Sequence, residues 1–99
     1  MSTTHRIPTD RVLREGVESG VVDDETLAEI RAHVRVREGE VESAHLLGEL
    51  LGAGHVDTWT LLTLAGLDAD AIEADLDHDW TVDFDLRGGV LVVSDEGRS

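Results

Sequence analysis

Cysteine, lysine, asparagine, glutamine and tyrosine are missing from this chain of 99 residues. Without cysteine there is no disulfide, no thiolate metal ligand and no cysteine nucleophile. Without lysine, asparagine and glutamine, the side chains that most often read phosphates and base edges are reduced to arginine. Aromatic residues are few: Trp59, Trp80 and Phe84 must anchor a core that is otherwise aliphatic. Long hydrophobic runs are lacking too. The longest aliphatic run is Val90–Val93, far short of the ~20 residues that cross a bilayer. The opening "MSTTHRIP" has no apolar segment of the kind a signal peptide carries. These absences set the expectation of a cytoplasmic protein with no membrane contact.

Acid dominates what is present. Twenty-two Asp and Glu face eight Arg, for a formal net charge of −14. Self-repulsion on that scale opposes a compact state at low ionic strength, and salt relieves it. The composition is similar to that of proteins from extreme halophiles, which hold molar salt in the cytoplasm. The charge is also uneven. Residues 1–37 hold six Arg and seven acids, whereas residues 38–86 hold thirteen acids and no base. Salt adaptation does not require such a one-sided middle, so this block is a candidate surface for a partner.

Periodicity predicts an α+β fold. Residues 1–8 are expected to be a flexible arm ending at Pro8, residues 9–94 a single compact domain, and residues 95–99 a polar tail. Five helices are expected over 10–19, 24–37, 40–52, 58–65 and 69–76. Thr9 or Asp10 caps the first and Asp23 or Asp24 the second. Leu27, Ile30 and Val34 form the helical stripe of the second. From Thr81 the period becomes two: Val82, Phe84 and Leu86 alternate with Asp83 and Asp85. Gly88-Gly89 then signals a two-residue turn, giving a hairpin over 81–94 that pairs Leu86 with Leu91 and Phe84 with Val93.

"LREGVESGVVDDETLAEI" (13–30) and "LGELLGAGHVDTWTLLTL" (47–64) align without gaps. Leu13/Leu47, Gly20/Gly54, Val22/Val56, Asp23/Asp57 and Leu27/Leu61 are among the identical pairs. Each copy reads as helix, Gly stop, buried Val, Asp cap, helix. The five helices are therefore expected as two antiparallel helical hairpins plus one, closed by the C-terminal β-hairpin.

In "LAGLDADAIEADL" (64–76), Gly66 sits at a turn; together with Leu61 just before the stretch, Leu67, Ile72 and Leu76 take the apolar places of a helix-turn-helix, and a β-hairpin comes next. By this pattern residues 58–94 resemble a winged helix-turn-helix. The resemblance implies a transcription regulator that binds DNA as a dimer, with Arg31, Arg35 and Arg87 touching phosphates. The helix that would enter the groove carries Asp68, Asp70, Glu73 and Asp75 instead of cations. Duplex affinity comes mainly from neutralised phosphates, so nucleic acid is not an expected partner for that helix.

Other constellations are weaker. "DLDHDWTVDFDL" (75–86) spaces acids like an EF-hand loop but puts Trp80 where the loop needs Gly and Leu86 where it needs Glu. His45, Glu49 and His55 lack a compact two-His motif for zinc. No G-x-S-x-G turn or Gly-rich phosphate loop is present. No catalytic residue, metal or cofactor is expected.

The second strand of the hairpin is apolar on both faces, so Val90 and Val92, or the edge of their strand, are expected to meet a second subunit. The sequence thus points to a small, acidic, non-enzymatic protein-interaction module, regulatory or part of an assembly such as a viral particle. Asp70, Glu73, Asp83, Asp85, Val90 and Val92 are its candidate partner-binding residues. An acidic nucleic-acid mimic or cation-binding protein is a further alternative.

Overall fold

In the computed structural model, which describes residues 3–74 and 80–95, five helices and a three-stranded antiparallel sheet form an α+β fold. The order is β1 (Thr3–Pro8), α1 (Thr9–Glu18), α2 (Asp24–His33), α3 (Glu42–Gly52), α4 (Thr58–Leu64), α5 (Ala69–Ala74), β2 (Trp80–Asp85) and β3 (Val90–Asp95).

Two helical pairs, α1–α2 and α3–α4, are built alike down to their hydrogen bonds. In the first turn Ser19 N donates to Glu15 O, Gly20 N to Val17 O and Val22 N to Gly16 O. In the second, Ala53 N donates to Glu49 O, Gly54 N to Leu51 O and Val56 N to Leu50 O. Asp23 then accepts from Thr26 N at 2.6 Å and Asp57 from Thr60 N at 2.7 Å, each capping the next helix. The two units meet at equivalent residues. Thr9 and Ser43 are 34 positions apart, both buried, and their hydroxyls lie 2.7 Å from each other. Contact between equivalent positions is what a local twofold axis through the α1–α3 contact requires. The repeat read in the sequence is therefore a structural repeat.

Several boundaries differ from those the sequence suggests. Residues 3–8 are not a loose arm: they form β1, paired antiparallel along the whole of β3. His5 and Ile7 point to the core side and Thr4 and Arg6 away, a short period-two pattern that ends at Pro8. Proline fits there because its missing N–H falls on an outer strand. Thr9 does not cap α1 with its side chain; its N–H and hydroxyl both donate to Gly89 O, at 2.9 and 3.0 Å. The second helix stops at His33 and not at residue 37, because beyond Val34 its inward positions would be Arg37 and Glu38, with nothing apolar to bury. Glu40 is excluded from α3, since its carboxylate accepts from Arg37 N at 2.9 Å. The positions expected to extend the fifth helix to residue 76, and most of the tail at 95–99, lie outside the described residues. Asp95 is not tail: it ends β3 and is buried.

The hairpin register also shifts. Asp85 pairs with Val90, Phe84 with Leu91 and Val82 with Val93, so the connection is Leu86–Gly89 and not Gly88-Gly89 alone. Asp85 is the cause. Its Oδ1 accepts from Arg87 N at 3.2 Å and Gly88 N at 2.9 Å, and its carbonyl accepts from Gly89 N at 2.8 Å. An Asp that gathers the next N–H groups in this way makes a longer turn. The slip is of two residues, so every side chain keeps its face.

Strand order is β1-β3-β2, with β3 in the middle. Its burial alternates: Leu91, Val93 and Asp95 are buried, Val90, Val92 and Ser94 half-buried. The inner face meets the helices through Ile7, Leu91, Val93 and Phe84, and Leu46, Leu47, Leu50, Leu61 and Leu62 complete the core. No helix among the described residues is long and apolar enough to cross a membrane.

Candidate interaction face

The core packs against the face of the sheet that bears Ile7, Leu91, Val93 and Phe84, while Thr4, Arg6, Pro8, Asp83 and Asp85 on the other face are exposed. Directly paired residues share a face, so this outer side consists of three rows. Arg6, Val92 and Asp83 form the middle row, Pro8, Val90 and Asp85 the row nearest the hairpin turn, and Thr4, Ser94 and Thr81 the third. In the third row the Thr81 and Ser94 hydroxyls bond at 2.8 Å. The face thus has an apolar centre at Val90 and Val92, a cation on one flank and two carboxylates on the other. Arg6 and Asp83 are both exposed, and neither has a side-chain partner among the described residues.

The residues singled out in the sequence fall into separate places. Asp83, Asp85, Val90 and Val92 come together on the outer face. The alternative that the edge of their strand receives another chain does not hold, because β1 and β2 occupy both edges of β3. Asp70 and Glu73 lie apart, exposed on α5. Asp70 Oδ1 accepts from the indole N–H of Trp59 at 3.0 Å, so that carboxylate is held within the chain.

Arg31 and Arg87 lie near the start of α3. Arg31 Nε is 3.1 Å from Glu42 Oε1, and Arg87 belongs to the turn whose Leu86 carbonyl accepts from Val41 N at 2.7 Å. Arg35 is exposed just beyond α2. The start of α5 is elsewhere, beside His5 and Trp80 at the opposite end of the sheet from Arg87. There His5, Gly66, Leu67, Asp68, Ala71, Ile72 and Trp80 line an open cavity of about 370 Å³. The His5 and Trp80 rings in its lining stack on each other with centroids 6.2 Å apart. Its one carboxylate, Asp68, accepts from Ala71 N at 3.1 Å and so is spent on starting α5. Sequence reasoning missed this cavity and Arg6 alike, because both depend on β1. The alternation of His5 and Ile7 was the only signal.

Among the described residues, no group of three or more His, Asp or Glu is arranged to hold a metal ion. Asp75, Asp77 and Asp79 of the EF-hand-like spacing lie outside the described residues. His45 Nε2 is 3.0 Å from Glu40 Oε1, an ion pair when the ring is protonated and not a ligand set.

Among the described residues, the carboxyls of Asp23, Asp57 and Glu40 are held below the ordinary carboxylate range. Asp23 and Asp57 are lowered chiefly by the backbone N–H groups of Thr26 and Thr60, and Glu40 by Arg37 N–H and then by His45. A folded-state pKa below the unfolded one adds stability that is fully present above the unfolded value. It is lost as pH falls through the folded value. Melting temperature in molar salt should therefore fall below about pH 5. In the Asp23→Asn/Asp57→Asn double variant that fall should be shallower, since asparagine can still cap but carries no proton-linked charge. An unchanged acid slope would contradict the capping account.

Comparison with known proteins found no matching family model, no matching curated protein and no matching solved structure.

Proposed function

We propose that this chain is a non-enzymatic protein-interaction module that meets another polypeptide through the outer face of its sheet, as a regulator or as part of an assembly. The observation that carries this reading is the pair Val90 and Val92, half-buried on the outer face of the central strand among exposed Arg6, Pro8, Asp83 and Asp85. Two adjacent apolar side chains between opposite charges suit a polypeptide surface, with an apolar centre and a polar rim. The acidity of the remaining surface is read as adaptation to concentrated salt. It also disfavours polyanions, since the block from Glu38 to Leu86 has no cation to neutralise phosphate.

A winged-helix DNA reader is the competing proposal, and the proximity of Arg31 and Arg87 to the start of α3 is what speaks for it. Against it, acids stand beside both: Glu42 at Arg31 and Asp85 at Arg87. Moreover α5, which would enter the groove, begins at the other end of the sheet from Arg87.

Site-specific photo-crosslinking in molar potassium chloride separates the two. A benzophenone side chain at position 92 should give polypeptide adducts, and one at exposed Val21 in the α1–α2 turn should not. Duplex DNA should show no measurable affinity, with or without Arg87→Ala. Adducts to nucleic acid, or equal yields from positions 92 and 21, would overturn the reading.

A further inference from the structure

The outer face carries its own complement. We propose that its partner is a second copy of this chain, packed face to face about a twofold axis parallel to the strands. Arg6 of each copy then stands opposite Asp83 of the other. This rests on the proposal that the outer face binds polypeptide, and adds which polypeptide.

The geometry comes from the strand order. With β1 on one flank and β2 on the other, a twofold axis running along β3 lays the β1 of one copy over the β2 of its mate. Rows stay level under that rotation. Val92 meets Val92, Val90 meets Val90, and the middle row places Arg6 across from Asp83 twice. A twofold axis across the strands would instead put Arg6 against Arg6 and Asp83 against Asp83. Like charges directly opposite one another are unfavourable, so the charge pattern selects the first arrangement. That arrangement also keeps the strands of the two sheets aligned, a common way for sheets to stack. It gives Arg6 and Asp83, both without a partner among the described residues, the partners they lack.

The area sets the strength. Three strands of six residues cover roughly 14 × 20 Å, or about 300 Å² per copy, at the usual spacings. A stable interface buries about 800 Å² per partner. The dimer is therefore weak. It is also opposed by the net charge of −14 on each copy, and that repulsion fades as the Debye length shrinks from ~10 Å at 0.1 M salt to ~3 Å at 1 M. Concentrated salt should promote pairing, because it screens the long-range repulsion more completely than the contacting Arg6–Asp83 pairs, which it also weakens.

Sedimentation equilibrium tests this with two variants, Arg6→Asp and Asp83→Arg. Both positions are exposed, so the fold should survive, and circular dichroism checks it. Wild-type mass should rise above the 10.8 kDa monomer with protein concentration, and more steeply in molar salt. Each variant alone opposes like charges twice and should dimerise roughly tenfold more weakly or worse. Mixed in equal amounts, the two variants restore both opposite-charge pairs, and affinity should return to within about threefold of wild type. A merely structural role for either residue would not produce recovery on mixing. A mixture no stronger than its components would overturn the proposed geometry. A wild-type chain that stays monomeric at every salt concentration would overturn self-pairing. In that case polypeptide adducts from position 92 would leave the proposed function standing, and their absence would remove it as well.

Discussion

Replacing Leu46 with alanine is expected to destabilise the protein by about 2–5 kcal/mol, the range for truncating a fully buried leucine. Leu46 is 1% exposed and sits on α3, the helix in contact with α1, α2 and β2. Cutting it back removes the transfer free energy of its methyl groups and leaves a cavity in the core that the elements around it must fill. They can close on it only in part. A domain of this size has about 5–15 kcal/mol in total, so the loss is a large share of its stability. Urea unfolding in molar salt gives the number directly. A loss under about 1 kcal/mol would mean that α3 is not the centre of the core.

Gly89→Ala should cost about 2–4 kcal/mol, from two causes that add. Gly89 has φ +66°, a left-handed conformation that an L side chain enters at a cost of about 1–2 kcal/mol. A methyl group there would also lie 2.9 Å from Val41 Cγ2 and 3.1 Å from Cγ1. Neither side of that contact is free to move. Val41 N is tied to Leu86 O, and Gly89 O holds both the N–H and the hydroxyl of Thr9. Through these bonds the hairpin turn closes the starts of α1 and α3 together. Gly39 is the control: its φ is +85° but nothing lies within 4 Å of the methyl position. Gly39→Ala should lose only the backbone part, about 1–2 kcal/mol. Equal losses at the two positions would show that Gly89 is not pinned against Val41.

Much of the helical half is legible in the sequence because its signals are local. Asp23 and Asp57 cap the helices after them, and Gly20 and Gly54 end the helices before them. The offset of 34 residues between matching positions announces the repeat that Thr9 and Ser43 then close. The faces of the hairpin are equally plain, since alternation survives a slip of two residues. What the sequence conceals is non-local. β1 carries one large aliphatic residue, Ile7, and becomes a strand only because β3 offers it an edge. Thr9 Oγ1 and Gly89 O, 80 positions apart, close that loop. The length of the hairpin turn was hidden for a related reason. Gly88-Gly89 reads as a complete two-residue turn until Asp85 captures the next amides and Val41 takes the Leu86 carbonyl. Arg6 became a candidate residue only with β1 in place. In the sequence it is one basic residue in an apparent tail, and in the fold it stands in line with Val92 and Asp83.

Under the proposed pairing, salt would act on both the stability of the chain and its self-association. In that pairing, a chain bearing −14 would have to be screened before it could approach its own copy. The proposed contact would rest on two valines, Val90 and Val92.

Their methyl groups can be watched directly. In molar potassium chloride, the methyl resonances of Val90 and Val92 should be broadened by a neutral soluble gadolinium chelate at low protein concentration and become shielded as concentration rises. Those of Val21, 43% exposed and away from the sheet, should stay equally accessible throughout. Valines 90 and 92 that remain as open to the probe as Val21 at every concentration would contradict the account.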